Sequence, residues 1–410
     1  MLFLQLKGKR RATVANEDTL LIKNVKVFVE KEVIENGYLV AEQGKITEIG
    51  HMNQLKNKKI SIATSIDGNG LNAVPGFIDG HIHGANGADV MDATPEALET
   101  MASALPKEGT TSFLATTITQ SKDNIHRALA NVASYQNKPA QAEIIGIHLE
   151  GPFIEESKAG AQPKEHILTP EVEQFENWQR ISGNMIKTIT MAPEKDEDGA
   201  LTRYLANQGI NVSAGHTAAT IADMRKAVEH GVKQVTHLCN AMSPIHHRDI
   251  GVVGAALTLE ELKSELIADK IHVSPEMIEF IYQNIGSERL LLITDALRAK
   301  CLKPGTYDLG GQEATVTEDR AMLSDGTLAG SILKMNQGAK NMMETTDATL
   351  QDIITMTAVN PAKQINMYER KGSLAPGKDA DILLVEDDVS VKYSFCRGEL
   401  AYEEANNSGN

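Results

Sequence analysis

The chain predicts a (β/α)8 barrel of the TIM type, with a small β-sandwich domain formed by its N- and C-terminal segments. Three observations carry this. Eight short apolar runs alternate with amphipathic helical stretches through the middle of the chain. Five of those runs end in His, Glu or Asp, residue types that bind divalent metals. Turn-punctuated β segments occur near both ends. An open doubly wound sheet would give a similar string, but it gathers its ligands at one switch point rather than after many strands. No glycine-rich phosphate loop of the Rossmann or Walker kind is present.

Taken in order, residues 1–17 run from apolar (Met1–Leu6) to basic (Lys7–Arg11), the reverse of a secretory signal, and are expected to be a disordered extension. Residues 18–72 and 372–405 are expected to form the small β-domain. Leu20–Val29, Gly37–Ala41 and Lys45–Ile49 supply one part of it. Ile382–Val385 and Val391–Arg397, after Gly377-Lys378-Asp379-Ala380-Asp381, supply the other. Residues 73–371 then form the catalytic barrel. Its predicted strands are Ala73–Ile78, Thr111–Thr116, Ile144–Leu149, Lys187–Ala192, Asn211–Ala214, Gln234–Leu238, Glu265–Ala268 and Leu290–Thr294, mostly continuous apolar runs as parallel strands buried on both faces require. Helices are predicted at Pro95–Leu105, Asn124–Tyr135, Ala200–Asn207, Ile221–His230 and Pro275–Ile285.

Bulk properties narrow the function. Among 410 residues, 41% are hydrophobic and 23% charged, and no apolar run reaches the roughly 18 residues that span a bilayer. The net charge of −15 argues against nucleic acid and anionic membrane as partners. A small anion needs only one or two local cations and stays open. Three widely spaced cysteines (Cys239, Cys301, Cys396) make no disulfide framework, and a cytoplasmic location is expected.

The chemistry lies at the strand ends. His81 and His83 cap the first run at i and i+2, so both imidazoles can face one ion. Glu150 ends Ile144–Leu149, where a carboxylate without a cation would be expensive to bury. His216 and His237 end two further runs. His148 either supports these ligands or is a hydrogen-bonded core histidine, and the second reading is favoured. Asp295 ends Leu290–Thr294, placed to accept a proton from activated water. Its alternative role as a helix N-cap is weakened because Pro304-Gly305 follows so soon. Cys239 is read as a buried thiol rather than a ligand.

These residues sit in a set of motifs: Pro-Gly-Phe-Ile-Asp-Gly-His-Ile-His-Gly (75–84), His-Leu-Glu-Gly-Pro-Phe (148–153), Gly-His-Thr (215–217), Thr-His-Leu-Cys-Asn-Ala-Met (236–242), Thr-Asp-Ala (294–296) and Leu-Ala-Gly-Ser (328–331). With them the chain resembles the amidohydrolase superfamily, and within it the sugar-phosphate deacetylases, from about Leu20 to Arg397. The resemblance implies hydrolysis of a linear amide C–N bond: deacetylation of N-acetyl-D-glucosamine 6-phosphate to D-glucosamine 6-phosphate and acetate. It implies Glu150, His216 and His237 as ligands of the main metal, zinc or iron, and Asp295 as catalytic acid and base. Because both His81 and His83 are present, a second ion bridged by Glu150 is open, giving one or two ions per subunit. The implied substrate site comprises Ala161, Asn240, Ala241, Arg248, His272 and the segment Leu328, Ala329, Gly330, Ser331, with Arg248 suited to the phosphate. A homodimer is implied, and Arg248 could reach across it. Many relatives have histidine where Gln162 stands, so that histidine's role does not transfer. A carboxylated lysine at the fourth strand's end is also absent. The competing expectations are the galactosamine epimer as substrate, another amidase activity, and a catalytically silent scaffold.

Overall fold

The computed structural model describes residues 19–405 apart from 31, 56–57 and 59–61; the expectation for residues 1–17 lies outside the described residues. Eight parallel strands follow one another in sequence order around a barrel. They are Phe77–Ile82, Thr110–Thr117, Glu143–Glu150, Ile186–Met191, Asn211–Ala214, Val232–Val235, Lys263–Ile267 and Leu290–Ile293. The ring closes where Asp295 N–H donates to His81 O at 2.8 Å and His83 N–H to Ala296 O at 2.9 Å. Every residue of the second and third strands is buried, which explains their unbroken apolar or threonine-rich sequences.

Helices pack outside. Ile221–His230 shows why they form where they do. Thr220 and Asp223 make a reciprocal capping box at its start, and Gly231 ends it with a left-handed backbone (φ 117°). Helices Val172–Ile181 and Gly251–Thr258 were not expected, whereas Met335–Thr345 and Leu350–Ile354 fall where helices near Met342–Thr357 were read as barrel packing. After the eighth strand comes a three-stranded antiparallel sheet, Gly305–Leu309, Gln312–Val316 and Ala321–Leu323, which was not foreseen. It leans on the barrel mouth, with Gln312 Nε2 donating to Ala161 O at 2.7 Å and Gln120 Nε2 to Gly310 O at 3.1 Å.

The terminal segments pair into one mixed eight-stranded sheet around its own apolar cluster, which includes Ile22, Val25, Leu39, Ile382 and Phe395. The expected first barrel strand, Ala73–Ile78, is two strands. Asn72–Pro75 pairs with Ile382–Val385 in the terminal sheet, so that sheet runs on past the expected boundary at 72, and Phe77–Ile82 pairs in the barrel. Gly76 is the crossing point: a Cβ there would run into the Thr111 side chain, so only glycine lets the chain pass.

Buried charges tie the two sheets together. Lys371 Nζ, almost fully buried, lies 2.5 Å from Asp381, 2.8 Å from Glu143 and 3.0 Å from Asp379. Glu143 opens the third barrel strand, while Asp379 and Asp381 lead into the terminal sheet.

Candidate metal centre

Strand ends deliver the expected ligands to one place by a repeated local device. His216, His237 and Asp295 each stand two residues past the end of a barrel strand, and each has a left-handed backbone (φ 48°, 30° and 47°). Such conformations cost non-glycine residues energy and concentrate at functional sites. They turn the side chains inward over the barrel axis. Glu150 is the last residue of its strand, and His81 and His83 face the same way from the first.

Two clusters result. In one, His216 Nε2 and His237 Nε2 each lie 3.2 Å from Glu150 Oε1 and 3.1 Å from one another. In the other, Asp295 Oδ1 lies 3.4 Å from His81 Nε2 and 3.2 Å from His83 Nε2. Glu150 joins them, with Oε1 3.3 Å from His81 and Oε2 3.3 Å from His83. Ligand atoms around a tetrahedral zinc at ~2.0–2.1 Å stand roughly 3.3 Å apart, so both spacings suit a divalent cation. His81 Nε2 supplies a further test of fit: it is buried and has no hydrogen-bond partner. An imidazole nitrogen left this way is costly unless a ligand answers it.

The field inside the site points to the same need. Burial alone would lower His83, but hydrogen bonds and charge from Asp295 and Glu150 raise it to about 10. His81 is raised well above its ordinary value against burial, by Glu150, Asp295 and Glu265. Burial pushes Asp295 up, yet the His81 and His83 charges hold it at about 2. Glu150, likewise desolvated, is held well below the usual carboxylate range by His81 and by bonds from His216 and His237. The carboxylates thus draw positive charge onto whatever lies between them.

Second partners fix the ring orientations. His81 Nδ1–H donates to Glu265 Oε2 at 3.0 Å, and His216 Nδ1–H to Lys158 O at 3.0 Å, leaving each Nε2 for the site. Glu265 also accepts from Gln234 Nε2 (2.7 Å) and His237 N–H (3.3 Å). Asp79 accepts from His81 N–H, Thr294 N–H and Thr294 Oγ1, pinning two ligand-bearing strand ends together. Sequence reasoning missed both acids. The available signal was a carboxylate inside an otherwise apolar strand, which only a buried partner makes tolerable.

His148 is a core histidine. Both ring nitrogens are bonded, Nδ1 to Gly80 O at 3.1 Å and Nε2 to Thr190 Oγ1 at 2.7 Å, and burial followed by the His81 charge holds it well below its ordinary value. Cys239, expected to be a buried thiol, is half-buried, and burial pushes it up to about 11.

Above the clusters opens a cavity of about 240 Å³ lined by His83, Glu150, His216, His237 and Asp295. Of the residues the resemblance implied for substrate, Ala161, Asn240, Ala241, His272, Leu328 and Gly330 line it. Ala329 is instead fully buried in the cluster beneath the three-stranded sheet. Ser331 also lies outside the lining; its Oγ donates to Thr294 O at 2.5 Å and its N–H to Asp295 O at 2.8 Å, so it braces the loop carrying Asp295. Arg248 is exposed and does not line the cavity either; its guanidinium bonds His247 Nε2 at 2.9 Å. Among the described residues no lysine or arginine lines the cavity. Outside the metal centre itself, His272 is the nearest thing to a cation there. Asp269 Oδ2 holds its Nδ1 at 2.6 Å and raises it against burial. Gly160 and Gln162 complete the wall with Ile118, Leu309 and Thr327, the last three not named by sequence reasoning.

A parallel eight-stranded barrel with imidazoles and carboxylates converging at its C-terminal mouth defines a class of hydrolases that typically depend on divalent metals. Residues 72–401 match the amidohydrolase family, and the chain belongs to it. It is 47% identical over 389 residues to the N-acetylglucosamine-6-phosphate deacetylase of Bacillus subtilis, covering 94% of this chain and 98% of that protein. It is 35% identical to the N-acetylgalactosamine-6-phosphate deacetylase of Escherichia coli O157:H7, over 80% of this chain and 87% of that protein. The crystal structure of the N-acetylglucosamine-6-phosphate deacetylase of Thermotoga maritima superposes with a TM-score of 0.83 at 32% identity, covering 94% of this chain and all of that one. Among the described residues no helix is long and apolar enough to cross a membrane.

Proposed function

We propose that the chain hydrolyses the acetamide of N-acetyl-D-glucosamine 6-phosphate, releasing acetate and D-glucosamine 6-phosphate. The observation that carries the reading is Asp295 facing the Glu150-centred clusters in one cavity, in a chain nearly half identical to a deacetylase of that name along its whole length. Glu150, His216 and His237 would hold the main cation, zinc or iron, and His81 and His83 with Asp295 a second; Glu150 would be common to both. A cation bound there supplies Lewis acidity, which polarises the acetyl carbonyl and lets water lose a proton near neutral pH.

The protein's own groups do the rest. Asp295, ionised at neutral pH, takes a proton from water as the water oxygen adds to the acetyl carbon. It returns that proton to the amide nitrogen as the C–N bond breaks, so the amine leaves neutral. Asn240, Ala241, Ala161, Leu328 and Gly330 would orient the sugar, and His272 would meet a hydroxyl or the phosphate. Acetate release from the glucosamine and galactosamine 6-phosphates, assayed side by side with metal analysis, tests the reading. We expect the glucosamine form to be turned over faster; no acetate and no metal would leave only a scaffold.

Because no arginine or lysine of the same subunit lines the cavity among the described residues, we assign the phosphate to Arg248 of a second copy, in a homodimer. Arg248→Ala is expected to raise KM for the phosphorylated sugar and leave the free sugar unaffected. Mixing Arg248→Ala with Asp295→Asn subunits is expected to restore about a quarter of wild-type activity, since one site in each mixed dimer is complete. No restoration would place Arg248 in its own subunit's site. A cytoplasmic location belongs to the same reading and agrees with three unpaired cysteines.

A further inference from the structure

Gln162 reaches the metal centre with neither end of its amide free to turn. Its Oε1 accepts from Thr119 N–H at 2.7 Å, a group that can only donate. Nε2 must therefore face the other way, where it donates to Glu150 Oε2 at 2.6 Å. The side chain is only 6% exposed at the cavity wall, so both amide bonds are largely shielded from water.

Glu150 is the one carboxylate shared by both clusters, with Oε1 toward His216, His237 and His81 and Oε2 toward His83. The terminal torsion of a glutamate is broad and roughly two-fold. Its setting decides whether the carboxylate gives one oxygen to each cluster or turns both toward one. The Gln162 N–H, anchored through the Thr119 backbone, selects the rotation that puts Oε2 beside His83. A neutral amide suits this task. A cationic donor would repel an incoming ion, and a carboxylate would become a ligand itself.

We propose that Gln162 is a positioning residue that holds Glu150 across both clusters and thereby sets whether the His81–His83–Asp295 group retains a second divalent cation. The proposal rests on the two-cluster metal reading above. It distinguishes Gln162 from a group needed only for packing, because it separates the two ions: the ion on Glu150, His216 and His237 should be indifferent to Gln162, and the other should not.

The test is titration of the metal-free protein with Co(II), following the d–d absorption and counting ions per subunit. Gln162→Met keeps the side chain's length and apolar contacts while removing both hydrogen bonds. Wild type is expected to bind two ions. The variant is expected to bind the first unchanged and the second about 10–100-fold more weakly, the usual cost of losing a group that orients a ligand. Gln162→Ala serves should the first variant not fold, and the retained first ion reports that the fold is intact. Two ions of unchanged affinity in the variant overturn this proposal alone. A single ion in wild type overturns it together with the two-cluster reading. Loss of both ions from both variants would make Gln162 a part of the fold and overturn it too.

Discussion

Asp295→Asn is expected to lower kcat by about 10²–10⁴-fold while leaving the ion on Glu150, His216 and His237 in place. The amide is nearly the same size as the carboxyl, so the cavity keeps its shape, but it can neither take a proton from water nor return one to the leaving nitrogen. The loss corresponds to about 3–5 kcal/mol of barrier. KM should change little, because Asp295 acts as charge develops rather than on sugar or phosphate. Asp295 also faces His81 and His83 at 3.4 and 3.2 Å, so a ligand role must be separated from a proton role. Metal content does this. If excess metal restores the variant's turnover, Asp295 is a ligand only; if the metal is bound and turnover stays low, it is the acid and base. Near-normal turnover without added metal sinks both.

How much of this could be read in advance depends on where each residue's partner lies. The barrel strands were legible because burial on both faces leaves no polar alternation, as in Glu143–Glu150. Ligands at their ends were legible because His, Glu and Asp are out of place beside such runs. The sixth strand is shorter and earlier than expected, Val232–Val235 rather than Gln234–Leu238, because the chain has already turned left-handed at His237. Glu265 was hidden because what justifies it, His81 Nδ1, lies 184 positions away. Gly251–Thr258 escaped for another reason. It has two glycines and no polar face, so neither propensity nor periodicity marks it as a helix, and only packing makes it one. The hairpin after the eighth strand did carry a signal. Gly310-Gly311 between two β-like runs is a two-residue turn, but a barrel template leads one to expect a helix there. Arg248 marks a different limit: as an arginine suited to phosphate it was legible in sequence, yet it is exposed and does not line the cavity.

Lys371→Met is expected to destabilise the protein by about 3–5 kcal/mol while leaving kcat at low temperature unchanged. Lys371 lies between three carboxylates drawn from the barrel and the terminal sheet, and it is nearly sealed from water. Burial alone would make its charge unfavourable; Asp381, Glu143 and Asp379 reverse that and raise its pKa. Removing it leaves Asp381 with only the Arg397 N–H as a remaining donor at 2.9 Å, while Glu143 and Asp379 keep Arg370 and, for Asp379, Lys45. The penalty is therefore that of a buried carboxylate short of counter-charge, not of one lost contact. The pH dependence follows with a definite sign. Glu143 and Asp379 are desolvated, yet Lys371 and Arg370 hold both below their ordinary values of 4.5 and 3.8. Their contribution to stability is complete above those values and fades as pH falls through the lowered folded ones. Without Lys371 the folded values rise, so the acid limb of the stability profile should move to higher pH. Calorimetric unfolding of both proteins between about pH 3 and 8 measures the two effects together. A loss below about 1 kcal/mol at neutral pH, with an unmoved acid limb, would show that the remaining arginine and lysine carry the joint between the sheets.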